Sequence, residues 1–111
     1  MEQSILVSTK TVLKVNPEET FFDDELLQYI NSAISHLGDL GAGDGTFVVS
    51  DSSALWGDMG LPAARLGLIK QFVFLKVRQL FDPPSMGFLQ DATEKQIKEL
   101  EWRIANGPEA A

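Results

Sequence analysis

The stretch from residue 62 or 63 to Phe81 constrains the fold more than any other part of the chain. Its apolar side chains recur at helical spacing, and Asp82, Pro83 and Pro84 block its continuation. The main apolar stripe consists of Leu66, Ile69, Val73, Val77 and Leu80. Other apolar residues point to other sides of the same helix, and these are Leu68, Phe74, Leu75 and Phe81. Because little polar face remains, this helix must be covered on several sides, by other helices of the chain or by a neighbouring subunit.

Two helices are predicted before this segment. The first, residues 4–15, is rich in β-branched side chains that are stiff at χ1, yet we predict a helix there that stops at Asn16 and Pro17. The second begins near residue 23, because negative charge is favourable beside the first N–H groups of a helix. We therefore expect Asp23 and Asp24 to cap this second helix.

Glycines and prolines mark where two of the helices end. Gly38 and Gly41 suit a left-handed cap after the second helix, since glycine adopts positive φ without steric cost. A fourth helix is predicted to begin between residues 85 and 88 and to end at Asn106, before a Gly-Pro pair. The chain is thus divided into four helical segments.

Residues 46–61 follow a different pattern from the helices on either side. Residues 47–49 can form a short strand, and residues 54–56 can form its partner. Phe47 and Trp56 are large aromatics in an otherwise polar stretch. They must either fold back onto the helices or meet a partner, and the sequence leaves both open.

The length and composition are those of one domain. With 111 residues, of which 44% are hydrophobic and 23% charged, the chain can bury a core of its own. We predict a mainly α fold: a compact four-helix domain over residues 1–111, with a short β-hairpin or an extended loop between the second and third long helices. No stretch is apolar and long enough to span a bilayer, so we expect no contact with a membrane.

The charge of the chain is strongly acidic and unevenly placed. Nine Lys and Arg stand against sixteen Asp and Glu, a net charge of -7 that disfavours tight binding to nucleic acid phosphates. Residues 1–62 hold ten acids and two bases, whereas residues 63–111 hold six acids and seven bases. Such asymmetry favours head-to-tail contacts between copies, and a chance distribution on a solvated surface explains it equally well.

The residue content argues against catalysis. The chain has no cysteine, and His36 is its single histidine, so no thiolate or histidine cluster can bind a metal. No serine stands in a Gly-x-Ser-x-Gly turn, and no Gly-Lys-Ser/Thr follows the glycine-rich residues 38–45. We therefore predict no enzyme activity, no metal and no cofactor, and we assign His36 no functional role.

The fourth helix carries apolar side chains on two sides. Its main stripe consists of Leu89, Ile97, Leu100 and Ile104, whereas Phe88 and Trp102 project from a different side. A second apolar side predicts a contact with another copy or another protein, while a tryptophan half-buried over a loop fits equally well. The residues that we expect at a subunit or partner interface are Phe47, Trp56, Leu68, Phe74, Leu75, Phe88 and Trp102.

Five stretches of the chain resemble the head-to-tail connector family of tailed phages. They are FDDELLQYINS at 22–32, HLGDLG at 36–41, WGD at 56–58, VFLKVRQLFDPP at 73–84 and ELEWR at 99–103. The resemblance implies a virion component, made in the host bacterial cytoplasm, that assembles with copies of itself into a ring docked to the portal protein. Such a ring receives the tail or a stopper protein, and DNA passes through it without sequence-specific binding.

A different class of function is also compatible with the residues. A small non-viral helical module could bind one partner through Trp102 and the third helix. The two classes differ in self-assembly, since a connector forms rings of many copies and an interaction module forms a complex of defined small size.

Overall fold

The computed structural model describes residues 4–16, 18–40, 47–61, 63–81 and 87–106. Within these residues the helices are α1 (Ile5–Val12), α2 (Asp23–Asp39), α3 (Ala63–Phe81) and α4 (Gly87–Asn106), and a short 3₁₀ turn covers Trp56–Met59. α3 lies in the centre and packs against α1, α2 and α4. The predicted mainly α fold with four helices is confirmed. None of the helices in the described residues is long and apolar enough to cross a membrane.

The helix bounds lie close to those expected from the sequence. α1 forms despite its β-branched residues, because the Ser4 hydroxyl caps it by accepting from the Val7 N–H at 3.2 Å. After α1 the chain turns at Lys14, whose φ is 62°. The glycine cap at Gly41, the stop at residues 82–84 and the Gly-Pro pair at 107–108 lie outside the described residues.

The start of α2 differs from the expected cap in one respect. The helix begins at Asp23, but Phe22 occupies the N-cap position and no side chain makes a capping hydrogen bond. Asp23 instead forms an ion pair with Lys10, and Asp24 is exposed in the first turn, where its charge is favourable beside the helix dipole. Both carboxylates lie in the first turn, where their charge is favourable beside the helix dipole, and Phe22 rather than either of them occupies the N-cap position.

The core is built on one face of α3. Ile69, Val73 and Val77 of the predicted stripe are buried, together with Phe72, which the stripe did not include. Leu80 was expected in the same stripe, but it is 51% exposed because it lies in the last turn of α3. The other helices cover this face with buried side chains from Ile5, Leu6, Leu26, Ile30, Ala33, Ile34, Leu37, Ile97, Leu100 and Ile104.

An extended loop, rather than a hairpin, connects α2 to the 3₁₀ turn in the residues described there, 47–55. The backbone N–H and C=O of Val49 both bond to the side-chain amide of Asn31, at 2.8 and 2.9 Å. On the other side of the loop, the Ile5 N–H donates to the Ala54 carbonyl and Leu55 bridges to Ser4. Because α2 and the start of α1 satisfy these backbone groups, residues 47–49 and 54–56 have no need to pair with each other.

Two buried cations tie the helices together. Lys10 is 2% exposed, and its Nζ lies 2.5 Å from the Asp23 carboxylate and donates to the Glu19 carbonyl at 2.7 Å. Arg65 is also 2% exposed, and its Nη2 donates to the carbonyl of Ile104. That carbonyl belongs to the last turn of α4, where C=O groups have no partner within the helix. Lys10 thus fixes α1 to the start of α2, and Arg65 fixes α3 to the end of α4.

We predict that Lys10→Met lowers the free energy of unfolding by about 2 to 3 kcal/mol, because it leaves the Asp23 carboxylate and the Glu19 carbonyl without their cation. The matched control is Lys14→Met on an exposed lysine of the following turn, which should change stability by less than about 0.5 kcal/mol. Urea unfolding followed by circular dichroism measures both variants. Equal stability of the two variants would contradict the assigned role of Lys10.

Candidate interaction surfaces

Two aromatic side chains of α4 lie on the surface. Phe88 is 65% exposed and Trp102 is 66% exposed. They are fourteen positions apart, so they point to within about 40° of each other and lie about 21 Å apart along the helix. The buried residues of α4, Ile97, Leu100 and Ile104, point to the opposite side. We call the outward side, with Phe88 and Trp102, the aromatic strip.

The first half of α4 contributes nothing to the core. Residues 87–96 contain no buried side chain, and only Thr93 among them is half-buried. Leu89, which was expected in the apolar stripe, is 43% exposed. The predicted apolar stripe is therefore buried only from Ile97 onwards, since α3 does not cover the turns before Ile97.

The second half of α4 is held by contacts to two other helices. The His36 Nε2 lies 2.5 Å from a Glu101 carboxylate oxygen, and the His36 ring stacks on Phe72 with centroids 5.6 Å apart. His36 thus joins α2, α3 and α4 at one point. The sequence placed it at the edge of the apolar face of α2, but its partner on α4 could not be read from helical spacing.

A groove of about 340 Å³ runs between α3 and α4. Its lining residues include Gln71, Phe74, Leu75, Glu99, Leu100 and Arg103. Phe74 and Leu75, two of the expected interface residues, are half-buried here, whereas Gln71, Glu99 and Arg103 are exposed. We call this feature the α3–α4 groove: an apolar floor with a polar rim.

Three of the expected interface residues lie elsewhere. Trp56 is 2% exposed, donates from Nε1 to the Ser8 hydroxyl at 2.8 Å and packs edge-on against Phe74. It supports Phe74 from within the core and offers no surface of its own. Phe47 and Leu68 are half-buried and pack against the core.

An exposed phenylalanine that was not among the expected interface residues lies just before α2. Phe21 is 80% exposed, more than any other large apolar side chain in the described residues. Residues 18–25 around it hold five acids and no base. We call this segment, with Phe21 at its tip, the acidic knob. Its only sequence signal is an aromatic residue embedded in a run of acids.

The acidic knob is held in a fixed conformation. The Phe21 N–H donates to the Glu19 carboxylate at 2.9 Å, and the Glu19 carbonyl accepts from buried Lys10. The rings of Phe21 and Phe22 meet edge-to-face, and Phe22 meets Phe81 of α3 in the same way, with centroids 5.2 Å apart. Phe21 is therefore presented to solvent by a packed and hydrogen-bonded turn.

The charge of the acidic knob extends into α2. Tyr29 donates its hydroxyl hydrogen bond to Glu25 at 3.0 Å. This hydrogen bond raises the pKa of Tyr29 above its ordinary value, with smaller contributions from desolvation and from the Glu25 charge. In the described residues no group of three or more His, Asp or Glu side chains is placed to hold a metal ion.

We predict that Trp56→Ala and Trp102→Ala differ strongly in stability. Trp56→Ala should lower the free energy of unfolding by about 3 to 5 kcal/mol, because it opens a cavity under Phe74 and removes the bond to Ser8. Trp102→Ala should cost less than about 1 kcal/mol, because most of this side chain already lies in water. Chemical denaturation of the two variants is the measurement, and similar losses would show that Trp102 belongs to the core.

A comparison with protein families finds one match to most of the chain. The model described as phage connector protein matches residues 5–110. The comparisons with curated proteins and with solved structures return no match. The matched range contains all the elements described above, including the acidic knob, the α3–α4 groove and the aromatic strip.

Proposed function

This chain belongs to the phage connector protein family, and from that premise we propose that its copies form a ring beneath the phage portal that joins the DNA-filled head to the tail or to a stopper. Membership in this family implies a structural component of the virion. The role that we propose is assembly by one domain, residues 1–111, without catalysis and without a cofactor.

The observation that carries the proposal is the exposed aromatic strip on α4. A buried aromatic side chain removes about 150 to 250 Å² from water, so leaving Phe88 and Trp102 exposed forgoes a large stabilisation. Tryptophan is enriched among the residues that dominate the energy of protein interfaces. We propose that these two exposed side chains on one side of one helix anchor a contact with another protein, here a second subunit or the portal.

The net charge of -7 supports the proposed path for DNA. A ring whose inner wall is acidic repels phosphates, so the genome can pass without binding to the protein. The acids are concentrated in residues 1–62, and Asp39 and Asp51 are exposed there. We propose that part of this acidic surface faces the channel. Mainly basic side chains along the channel of an assembled ring would overturn this part of the proposal.

We predict that the purified protein, mixed with its cognate portal, gives portal-bound ring density in electron microscopy. Phe88→Ala and Trp102→Ala should each weaken this assembly at least about tenfold, since each removes an aromatic anchor worth 1.4 kcal/mol or more. Their melting temperatures should stay close to that of the unmodified protein. The matched control is Glu94→Ala, which changes an exposed residue on another side of α4.

The same experiment separates the proposed function from the alternative. Rings or portal-bound density support the connector role. A complex of one copy with one partner, with no ring under any condition, would favour a small interaction module. Loss of portal binding together with an equal loss of thermal stability would show that the aromatic strip supports the fold instead.

A further inference from the structure

We propose that the acidic knob of one copy docks into the α3–α4 groove of the next copy, with the Phe21 ring on the groove floor. The inference rests on the proposed function and adds the contact between subunits that the ring needs. The knob and the groove are different surfaces of the same chain. A contact between them is therefore head-to-tail, and such contacts close into rings when the rotation between neighbours allows it.

The groove can accept an aromatic ring. An apolar cavity of about 150 Å³ is enough to hold a benzene molecule, and the groove has about twice that volume. Phe74, Leu75 and Leu100 give it an apolar floor, which Trp56 supports from below by its edge-on contact with Phe74. The site is therefore preformed in the protomer.

Phe21 does not use the groove of its own chain. It is 80% exposed, and its position is fixed through Phe22 against Phe81 and through Lys10 beneath the turn. A groove filled by Phe21 is therefore the groove of another copy. A rigid aromatic on a preorganised turn loses little conformational entropy on docking, which favours binding.

The charges of the two surfaces are complementary. The knob holds five acids and no base, and Lys10 pairs with one of these acids, Asp23. α3 has no acid, and since Arg65 is buried, its surface carries three bases, Lys70, Lys76 and Arg78. Arg103 lies on the rim of the groove, and Arg78 follows Phe74 by one helical turn and is exposed. Glu99 is an acid on the rim, so the pairing relies on Arg78 and Arg103. This complementarity argues for a second copy rather than an unrelated partner.

One phenylalanine and its charged surroundings make a small contact. Stable interfaces bury about 1,200 to 2,000 Å² in total, more than the knob alone can supply. We therefore expect the knob to bind the groove weakly in free solution. Docking to the portal holds many copies together at high effective concentration, and the contact then forms cooperatively.

Cysteine crosslinking tests the pairing directly, because the chain has no cysteine of its own. Thr20→Cys places a thiol beside Phe21, and Gln71→Cys places one on the groove rim; both positions are exposed. A mixture of the two variants, bound to the cognate portal and treated with a short bis-maleimide, should give crosslinked dimers of one copy of each variant. The matched control replaces Thr20→Cys by Asp39→Cys, an exposed position at the far end of α2, and should give none.

Charge reversal provides a second, independent test of the contact between the knob and the groove. Glu18→Arg with Asp24→Arg on the knob, or Arg78→Glu with Arg103→Glu at the groove, should each reduce ring formation at least about tenfold. Mixing the two variants should restore ring formation, since in a ring where the variants alternate each knob faces a groove of opposite charge. Asp39→Arg with Asp51→Arg reverses as many acids elsewhere on the acidic half and should leave ring formation unchanged.

The outcomes distinguish the inference from the proposed function. Portal binding without the Thr20–Gln71 crosslink would overturn the knob-and-groove contact and leave the connector role standing. Absence of both portal binding and crosslink would overturn both. Normal assembly of the Phe21→Ser variant would likewise overturn the inference, provided its unfolding curve matches that of the unmodified protein.

Discussion

α3 presents apolar side chains around nearly its whole circumference, and the arrangement of the other elements follows from that constraint. α1, α2 and α4 each bury an apolar stripe against it. Three helices of this size cannot enclose a fourth completely, so Phe74 and Leu75 remain half-buried at the bottom of the groove beside α4. The α3–α4 groove is therefore a direct result of how the core is filled, and the residues that stabilise the fold also shape it.

Local sequence signals were sufficient to predict the helices. α3 begins and ends within a residue of the expected positions, and α4 ends at Asn106 as expected. These signals work because proline, glycine and terminal charge act on the backbone within one or two turns. Of the two alternatives predicted between the second and third long helices, a hairpin or an extended loop, described residues 47–55 form the extended loop. Residues 47–49 have the composition of a strand, but Asn31, a residue on a different element, satisfies the backbone of Val49.

The features that depend on tertiary contacts were not predictable from spacing. Lysine and arginine usually lie on the surface, but Lys10 and Arg65 are both buried. Lys10 binds the Glu19 carbonyl and the Asp23 carboxylate, and Arg65 binds the Ile104 carbonyl of another helix. Leu80 and Leu89 fit apolar stripes and are nevertheless exposed, since the stripe continues past the point where the neighbouring helix can cover it. The exposure of Phe21 was not predicted because this residue lies outside any segment with helical periodicity. Exposure of Phe88 and Trp102 is consistent with the expected interface, whose role in assembly stays a prediction.

The unequal support along α4 has a mechanical consequence. Its second half is fixed by the core, by Arg65 and by the His36–Glu101 contact. The turns before Ile97 bury no side chain against the core. Because the second half is held in place, a bend of about 10° at Ile97 moves Phe88 by about 2 Å and leaves Trp102 where it is. The two ends of the aromatic strip can thus be displaced to different extents. In the assembly proposed above, the Trp102 end would fix the position of the bound protein and the Phe88 end would adjust to its shape.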